Sequence, residues 1–94
     1  MGRTTISNMK TRKLGNTDLE LTVLGLGTGQ LGGFQPRGES DPWLESSSED
    51  EALATIHSSL SSGITYFDTA PYYGYGRAEH RLGQVMRQVD REKF

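Results

Sequence analysis

The sequence contains no cysteine, and this absence removes two ways of stabilising a small protein. Without thiols the chain forms no disulfide and no cysteine-based zinc site. It also lacks a large excess of either charge. The 10 lysines and arginines and the 12 aspartates and glutamates give a net charge of −2. The basic residues are scattered, whereas a nucleic-acid backbone requires a cationic patch. No nucleic-acid partner is therefore expected.

Long apolar runs are missing as well. No stretch approaches the roughly 20 apolar residues of a membrane-spanning helix, and the opening segment MGRTTISNMK lacks the apolar core of a secretory signal. Ile6 stands where a myristoylation motif requires serine or threonine. We therefore expect a cytoplasmic protein with no membrane partner, in which Met1–Asn8 form a disordered leader before a second start at Met9.

The segment after this leader predicts a β-hairpin followed by a buried strand. Two strand-like runs flank Gly15–Asp18, whose glycine and asparagine tolerate positive φ angles. The second run continues into Val23–Gly27, a short apolar run without polar alternation, which is typical of a parallel strand buried on both faces. Residues 28–47 are rich in glycine and proline and predict a loop without regular structure, held down by Trp43 and Leu44.

A helix is predicted to begin at the capping box Ser48–Glu51. The Ser48 hydroxyl can accept from the free Glu51 N–H group, and the Glu51 carboxylate can accept from the free Ser48 N–H group. Gly63 supplies the left-handed residue that ends a helix. Between them the apolar residues recur at helical spacing and form one stripe: Ala52, Leu53, Ile56 and Leu60.

The β-branched and aromatic run Ile64–Phe67 predicts a second buried strand that ends at Asp68. A second amphipathic helix is predicted up to about Asp90, despite Gly83, which costs about 1 kcal/mol relative to alanine. Its apolar residues are Ala78, Leu82, Val85, Met86 and Val89. Repeated β then α units predict an α/β fold with parallel strands joined by right-handed crossovers.

The glycines of GLGTGQLGG raise the question of a dinucleotide-binding fingerprint, because Gly27, Gly29 and Gly32 have the spacing GxGxxG. A Rossmann fingerprint requires a helix directly after the strand. Proline and glycine forbid a helix before Ser48, so this reading is disfavoured. Two interpretations remain: a strand end kept free of side chains so that a flat ring can lie against it, and a merely flexible loop.

Asp68 ends the second strand, and Tyr73 follows five residues later in a glycine-flanked loop. The C-terminal ends of strands are where β/α barrels place their catalytic residues. The block GITYFDTAPYYGYGRAEHRLG, together with RKLGNTDLELTVLGLGT, resembles the aldo-keto reductase family near its aldose dehydrogenases, from about Met9 to Phe94.

The resemblance implies that residues 9–94 are the N-terminal portion of a (β/α)8 TIM barrel, comprising the bottom hairpin and the first two β/α units. It implies an oxidoreductase that uses NADP or NAD to transfer hydride to or from an aldose or another carbonyl or alcohol substrate. It also assigns Asp68 and Tyr73 to a catalytic tetrad of Asp, Tyr, Lys and His. By the same resemblance the cofactor's nicotinamide end is contacted by Gly27, Thr28 and Gly29, with Asp68 as a near neighbour. No metal site is predicted.

The chemistry of such a site has a physical logic of its own. Hydride transfer at a carbon that bears oxygen requires a proton to move on that oxygen. A phenol ordinarily has a pKa of about 10, so it requires a neighbouring ammonium group that lowers this value. A buried carboxylate such as Asp68 would hold that lysine in place.

Other readings of these residues remain open. Tyr72 or Tyr75 is an alternative working phenol, and Asp68 with Thr69 is an alternative turn cap. Asp18 stands where the family commonly has glycine, which affects only the stability of the hairpin.

The remaining tetrad residues are not predicted within this chain. His57 and His80 lie in the predicted helices and are expected at the surface or in packing. Lys10 and Lys13 belong to the hairpin, and Lys93 precedes the third barrel strand, at the wrong end for catalysis.

The length of the chain also predicts that it lacks part of the catalytic site. A barrel requires about 250 residues, so 94 residues supply about two of its eight units. The chain is then expected to need the rest of the barrel, or a partner, to fold. The alternative is a non-catalytic truncated product, or a partner-binding module that pairs through an exposed strand edge.

We predict that a polypeptide of residues 1–94 by itself shows neither turnover nor a cooperative unfolding transition. Two parallel strands covered on one face bury too little apolar surface to offset the entropy of ordering the chain. Assays with both nicotinamide cofactors and a thermal melt test this. Turnover would contradict the account of the missing lysine, and a sharp melt would contradict the stability argument.

Overall fold

The computed structural model describes residues 9–32 and 48–94 of the chain. The strands are β1 (Thr11–Lys13), β2 (Glu20–Thr22), β3 (Gly25–Gly27) and β4 (Tyr66–Asp68), and the α-helices are α1 (Glu49–Ser61) and α2 (Arg77–Met86). Short 3₁₀ turns occupy Gly29–Gly32 and Arg91–Lys93. Tyr73–Gly76 form a tight turn in which Gly74 and Tyr75 have left-handed backbone conformations. The predicted leader Met1–Asn8, most of the predicted loop, and Trp43 and Leu44 lie outside the described residues.

The predicted hairpin is present, and β1 pairs antiparallel with β2. Gly15 takes a φ of 53°, the left-handed conformation expected of its turn. The Thr17 hydroxyl donates to the Leu14 carbonyl at 2.6 Å and closes the turn. Asp18 does not use the left-handed region, since Tyr75 is the one non-glycine residue with positive φ in the described part of the chain.

The two β/α strands pair as predicted, with β3 parallel to β4 and Gly27 opposite Asp68. The hairpin is joined to this sheet by reciprocal hydrogen bonds. The Thr22 amide donates to the Thr65 hydroxyl at 3.3 Å, and the Thr65 amide donates to the Thr22 hydroxyl at 3.1 Å.

The prediction that the Val23–Gly27 run is buried on both faces is wrong for the described residues. Val23 is 53% exposed and Leu24 is 57% exposed, and both precede β3. Tyr66 in β4 is 46% exposed. The apolar composition of these segments predicted burial, but within the described residues the helices cover only one face of the sheet.

Helix α1 begins and ends at the predicted residues for the predicted reasons. The Glu51 amide donates to the Ser48 hydroxyl at 3.2 Å, and the Ser48 amide donates to the Glu51 carboxylate at 3.1 Å, which completes the capping box. At the other end Gly63 has a φ of 99°. The amides of Gly63 and Ile64 donate back to the carbonyls of Leu60 and Ser59, which is the pattern of a Schellman motif.

Helix α2 is shorter than predicted, because it ends at Met86 and not near Asp90. After Met86 the backbone bonds tighten to i→i−3 spacing: Gln88 donates to Val85 and Val89 donates to Met86. Val89 still packs against the core from this turn, so its apolar character predicted burial correctly but the wrong local structure.

The core lies between the two helices and one face of the β3–β4 sheet. Its buried residues are Leu31, Ala52, Ile56, Val85 and Met86, with Leu26, Phe67 and Leu82 among those packed against them. His57 and His80 are exposed on the helices, as predicted. No described helix is long and apolar enough to cross a bilayer.

Two glycine-to-alanine variants should change helix stability in opposite directions. Gly63→Ala places a side chain at positive φ and should destabilise α1 by about 1 kcal/mol. Gly83→Ala introduces a Cβ with no atom within 4 Å and should stabilise α2 by up to about 1 kcal/mol. Thermal melts of the complete native polypeptide, followed by far-UV circular dichroism, compare the variants with the parent. A Gly63→Ala variant that unfolds at the same temperature as the parent would contradict the assigned helix end.

Candidate functional site

The C-terminal ends of β3 and β4 are joined by two hydrogen bonds to one acceptor. The Thr28 amide and the Thr28 hydroxyl both donate to the Asp68 carbonyl, at 3.0 Å and 2.9 Å. Thr28 is 0% exposed, so its side chain is part of the join and does not line an open surface. The two strand ends are therefore held level with each other.

The face of the sheet opposite the core is open and carries Asp68. Side chains alternate along a strand, so Tyr66 and Asp68 share this face with Gly25 and Gly27 of the neighbouring strand. These residues and Leu26 line a cleft of about 400 Å³. A carboxylate thus stands at the end of an otherwise uncovered sheet face.

The two glycines of β3 have different surroundings. A Cβ at Gly25 would lie 2.7 Å from Cδ2 of Tyr66, so this glycine gives room to the Tyr66 ring. A Cβ at Gly27 would have no neighbour within 4 Å. Gly27 therefore leaves an open, side-chain-free surface beside Asp68, of the kind against which a flat ring can lie.

The Asp68 carboxylate is exposed and forms no hydrogen bond or ion pair with any other described residue. The neighbouring Thr69 hydroxyl is buried and has no hydrogen-bond partner there. Neither side chain caps a turn within residues 9–32 and 48–94. The carboxylate is thus available to a cation outside the described part of the chain.

Tyr73 is half-buried and lies in a second cleft, of about 510 Å³, whose lining includes Gly27, Gly29 and Leu31. Both clefts include Leu26 and Gly27, so Gly27 lies between the Asp68 side and the Tyr73 side. Tyr72 and Tyr75 are exposed and pack edge to face with ring centroids 6.4 Å apart. The structure thus distinguishes Tyr73 from the other two tyrosines of its loop.

The turn after β3 contacts the loop after β4 through two glycines. A Cβ at Gly32 would lie 2.8 Å from the carbonyl carbon and oxygen of Tyr73, and a Cβ at Gly74 would lie 2.6 Å from the Gly32 carbonyl carbon. From α2, the Arg81 guanidinium donates to the Leu31 carbonyl at 2.8 Å. Sequence reasoning missed this contact, since the spacing of Gly32 is visible but its partner is 42 positions away.

No lysine or histidine lines either cleft. Lys10 and Lys13 belong to the hairpin segment, and Lys93 is exposed in the turn Arg91–Lys93. The described residues also contain no group of three or more histidine, aspartate or glutamate side chains placed to bind a metal. Of the four residue types that the family resemblance implies for the site, only Asp and Tyr follow the strand ends within residues 9–32 and 48–94.

The comparisons with known sequences agree on one family. The sequence profile of the Aldo/keto reductase family matches residues 23–94. The chain is 46% identical over 78 residues to pyridoxal 4-dehydrogenase of Microbacterium luteolum, across 82% of this chain and 20% of that protein. It is 35% identical over 92 residues to L-galactose dehydrogenase of Arabidopsis thaliana, across 95% of this chain and 26% of that protein.

A solved structure matches at the level of the fold. A thermostable aldo-keto reductase crystallised with the inhibitor epalrestat aligns with a TM-score of 0.72 and 32% sequence identity. The alignment covers 92% of this chain and 29% of that protein. The chain thus spans between a fifth and a third of the length of the proteins to which it is similar.

Proposed function

The chain belongs to the aldo/keto reductase family, and on that premise we propose that it supplies the first two β/α units, and half of the catalytic tetrad, of an NAD(P)-dependent oxidoreductase. In this proposal Tyr73 is the catalytic phenol of the tetrad, and Asp68 is the tetrad carboxylate that positions the lysine. The lysine and histidine come from later units of an eight-stranded barrel in the complete polypeptide.

One observation carries the proposal: Gly27 lies directly opposite Asp68, and it also lines the cleft that contains Tyr73. Asp68 lines one cleft and Tyr73 lines the other, and the side-chain-free backbone of Gly27 borders both clefts at the C-terminal ends of two parallel strands. That is the end of a β/α barrel at which active sites form.

The residues present fit a nicotinamide cofactor. The surface at Gly27 has no atom within 4 Å of the position that a side chain would occupy, so a flat ring has room there. Gly29 lies in the same cleft as Tyr73, and buried Thr28 fixes the strand ends between them. When bound, the nicotinamide would supply or accept the hydride. The proposed cofactor is NADP or NAD.

Tyr73 moves a proton to or from the substrate oxygen in this proposal. Its half-buried position beside Gly27 and Gly29 supports this role over Tyr72 and Tyr75, whose rings are exposed. Asp68 is the positioning partner, because its carboxylate has no cation among the described residues and is available to hold the tetrad lysine. That lysine would favour the ionised phenol.

The substrate is proposed to be an aldose or another small carbonyl or alcohol compound. Two relatives are named as dehydrogenases of L-galactose and of pyridoxal, which supports this class without selecting within it. A cytoplasmic location belongs to the same proposal.

A non-catalytic, partner-binding role is the second candidate. The uncovered face of the β3–β4 sheet and the exposed side chains of Val23, Leu24 and Tyr66 favour it, since such a surface requires a covering layer. In a barrel enzyme the later β/α units would provide that layer. Activity of the complete native polypeptide distinguishes the two roles.

The test uses the complete polypeptide expressed from its gene, assayed with NAD and with NADP on L-galactose and pyridoxal. Tyr73→Phe removes the proton-transferring hydroxyl and should lower kcat by roughly 10²- to 10⁴-fold. Tyr75→Phe is the matched control in the same loop and should change kcat by less than about twofold, since an exposed hydroxyl outside the clefts takes no part. An inactive parent polypeptide, or equal losses in both variants, would overturn the proposal.

A further inference from the structure

We propose that Gly32, Gly74 and Arg81 are positioning residues that fix the Tyr73 phenol relative to the end of β3. This inference rests on the proposed function and adds to the site residues that do not themselves transfer a proton or a hydride. It concerns the contact between the turn Gly29–Gly32 and the loop that contains Tyr73.

The contact is between backbones, so it cannot adjust by a side-chain rotation. The atoms that a Cβ at Gly32 would meet, at 2.8 Å to 2.9 Å, are the carbonyl group of Tyr73 and the nitrogen of Gly74. Real Cβ atoms do not approach backbone so closely. Any side chain at Gly32 must therefore displace the backbone of Tyr73 itself, and with it the phenol.

Gly74 is required from the other side of the same contact. A Cβ there would lie 2.6 Å from the carbonyl carbon of Gly32. Gly74 also has a φ of 61°, the left-handed conformation that glycine adopts without strain. Steric contact and backbone conformation thus both select glycine directly after Tyr73.

Arg81 holds the turn from a third direction. Its guanidinium donates to the Leu31 carbonyl at 2.8 Å, one residue before Gly32. Arg81 lies in α2, which begins at Arg77, directly after the Tyr73–Gly76 turn. The turn after β3 contacts the Tyr73 loop, the loop continues into α2, and Arg81 of α2 bonds back to the turn. The three segments therefore hold one another in place.

These three connected segments join the two sides of the proposed site. Gly29, at the start of the turn, lines the cleft with Tyr73, and Gly32 ends the turn against the Tyr73 carbonyl. Proton transfer depends steeply on geometry, and a misplacement of about 1 Å can cost about 100-fold in rate. A change at Gly32 should therefore act on kcat far more than on substrate or cofactor binding.

The test is a double-mutant cycle in the complete native polypeptide. Gly32→Ala should lower kcat by roughly 10- to 100-fold while KM changes by less than about threefold. In a Tyr73→Phe background the same substitution should lower the residual kcat by less than about threefold, because the group that it misplaces is already absent. Gly83→Ala is the matched control, since its Cβ would meet nothing within 4 Å, and kcat should not change.

An unchanged kcat in Gly32→Ala overturns the inference, because the contact then positions nothing. Equal losses in both backgrounds also overturn it, because the role is then purely structural. If Gly32→Ala does not fold, Arg81→Met takes its place in the cycle, and Arg81→Lys, which can still donate to the Leu31 carbonyl, should recover part of the activity. A fully active Tyr73→Phe enzyme overturns the assignment of the phenol, and this inference with it, which separates the failure of the proposed function from that of the positioning role.

Discussion

The two hydrogen bonds from Thr28 to the Asp68 carbonyl are the constraint on which the candidate site depends. They join residues 40 positions apart in sequence and set the ends of β3 and β4 level. Thr28 is buried with its hydroxyl and amide bonded to one acceptor, while its neighbours Gly27 and Gly29 line open clefts. A buried polar side chain is stable here because its hydroxyl donates a hydrogen bond.

The same strands divide the molecule into a packed side and an open side. Leu26 and Phe67 contribute to the core with the helices, whereas Gly27 and Asp68 lie opposite each other on the uncovered face. Such a division costs stability, because one face of a parallel sheet remains in water. It also places the polar residues where further β/α units of an aldo/keto reductase barrel would enclose them, which connects the exposed apolar surface with the proposed catalytic role.

Glycine has three distinct physical uses near this site. Gly27 leaves a surface free, Gly25 accommodates a ring, and Gly32 with Gly74 permits contact between two backbones. Tyr75, between Gly74 and Gly76, is drawn into the left-handed conformation with them, which is costly for a side chain with a Cβ. This strain is confined to the residues that follow Tyr73, where the chain reverses before α2.

The sequence by itself determined the features that depend on contacts between residues close together along the chain. The capping box spans Ser48 to Glu51, the helix end spans Ser59 to Ile64, and the hairpin turn lies within Leu14–Leu19, so each could be predicted from local chemistry. The order of elements, the parallel pairing and the family resemblance were equally readable, and the resemblance supplied Asp68 and Tyr73 as site residues. The end of α2 could not be predicted in this way, because Val89 continues the apolar pattern of the helix although it lies beyond Met86 and packs against the core from the following turn.

Only the tertiary structure decided the features that depend on distant residues. Apolar composition at Val23 and Leu24 predicted burial, but burial requires a neighbour on each side, and the described chain supplies one. The roles of Thr28, Gly32 and Arg81 depend on Asp68, Tyr73 and Leu31, which are 40 to 50 positions away. A single sequence identifies which residues can form such contacts, but only the fold fixes which of them meet, since the distance between two residues along the chain does not set their distance in space.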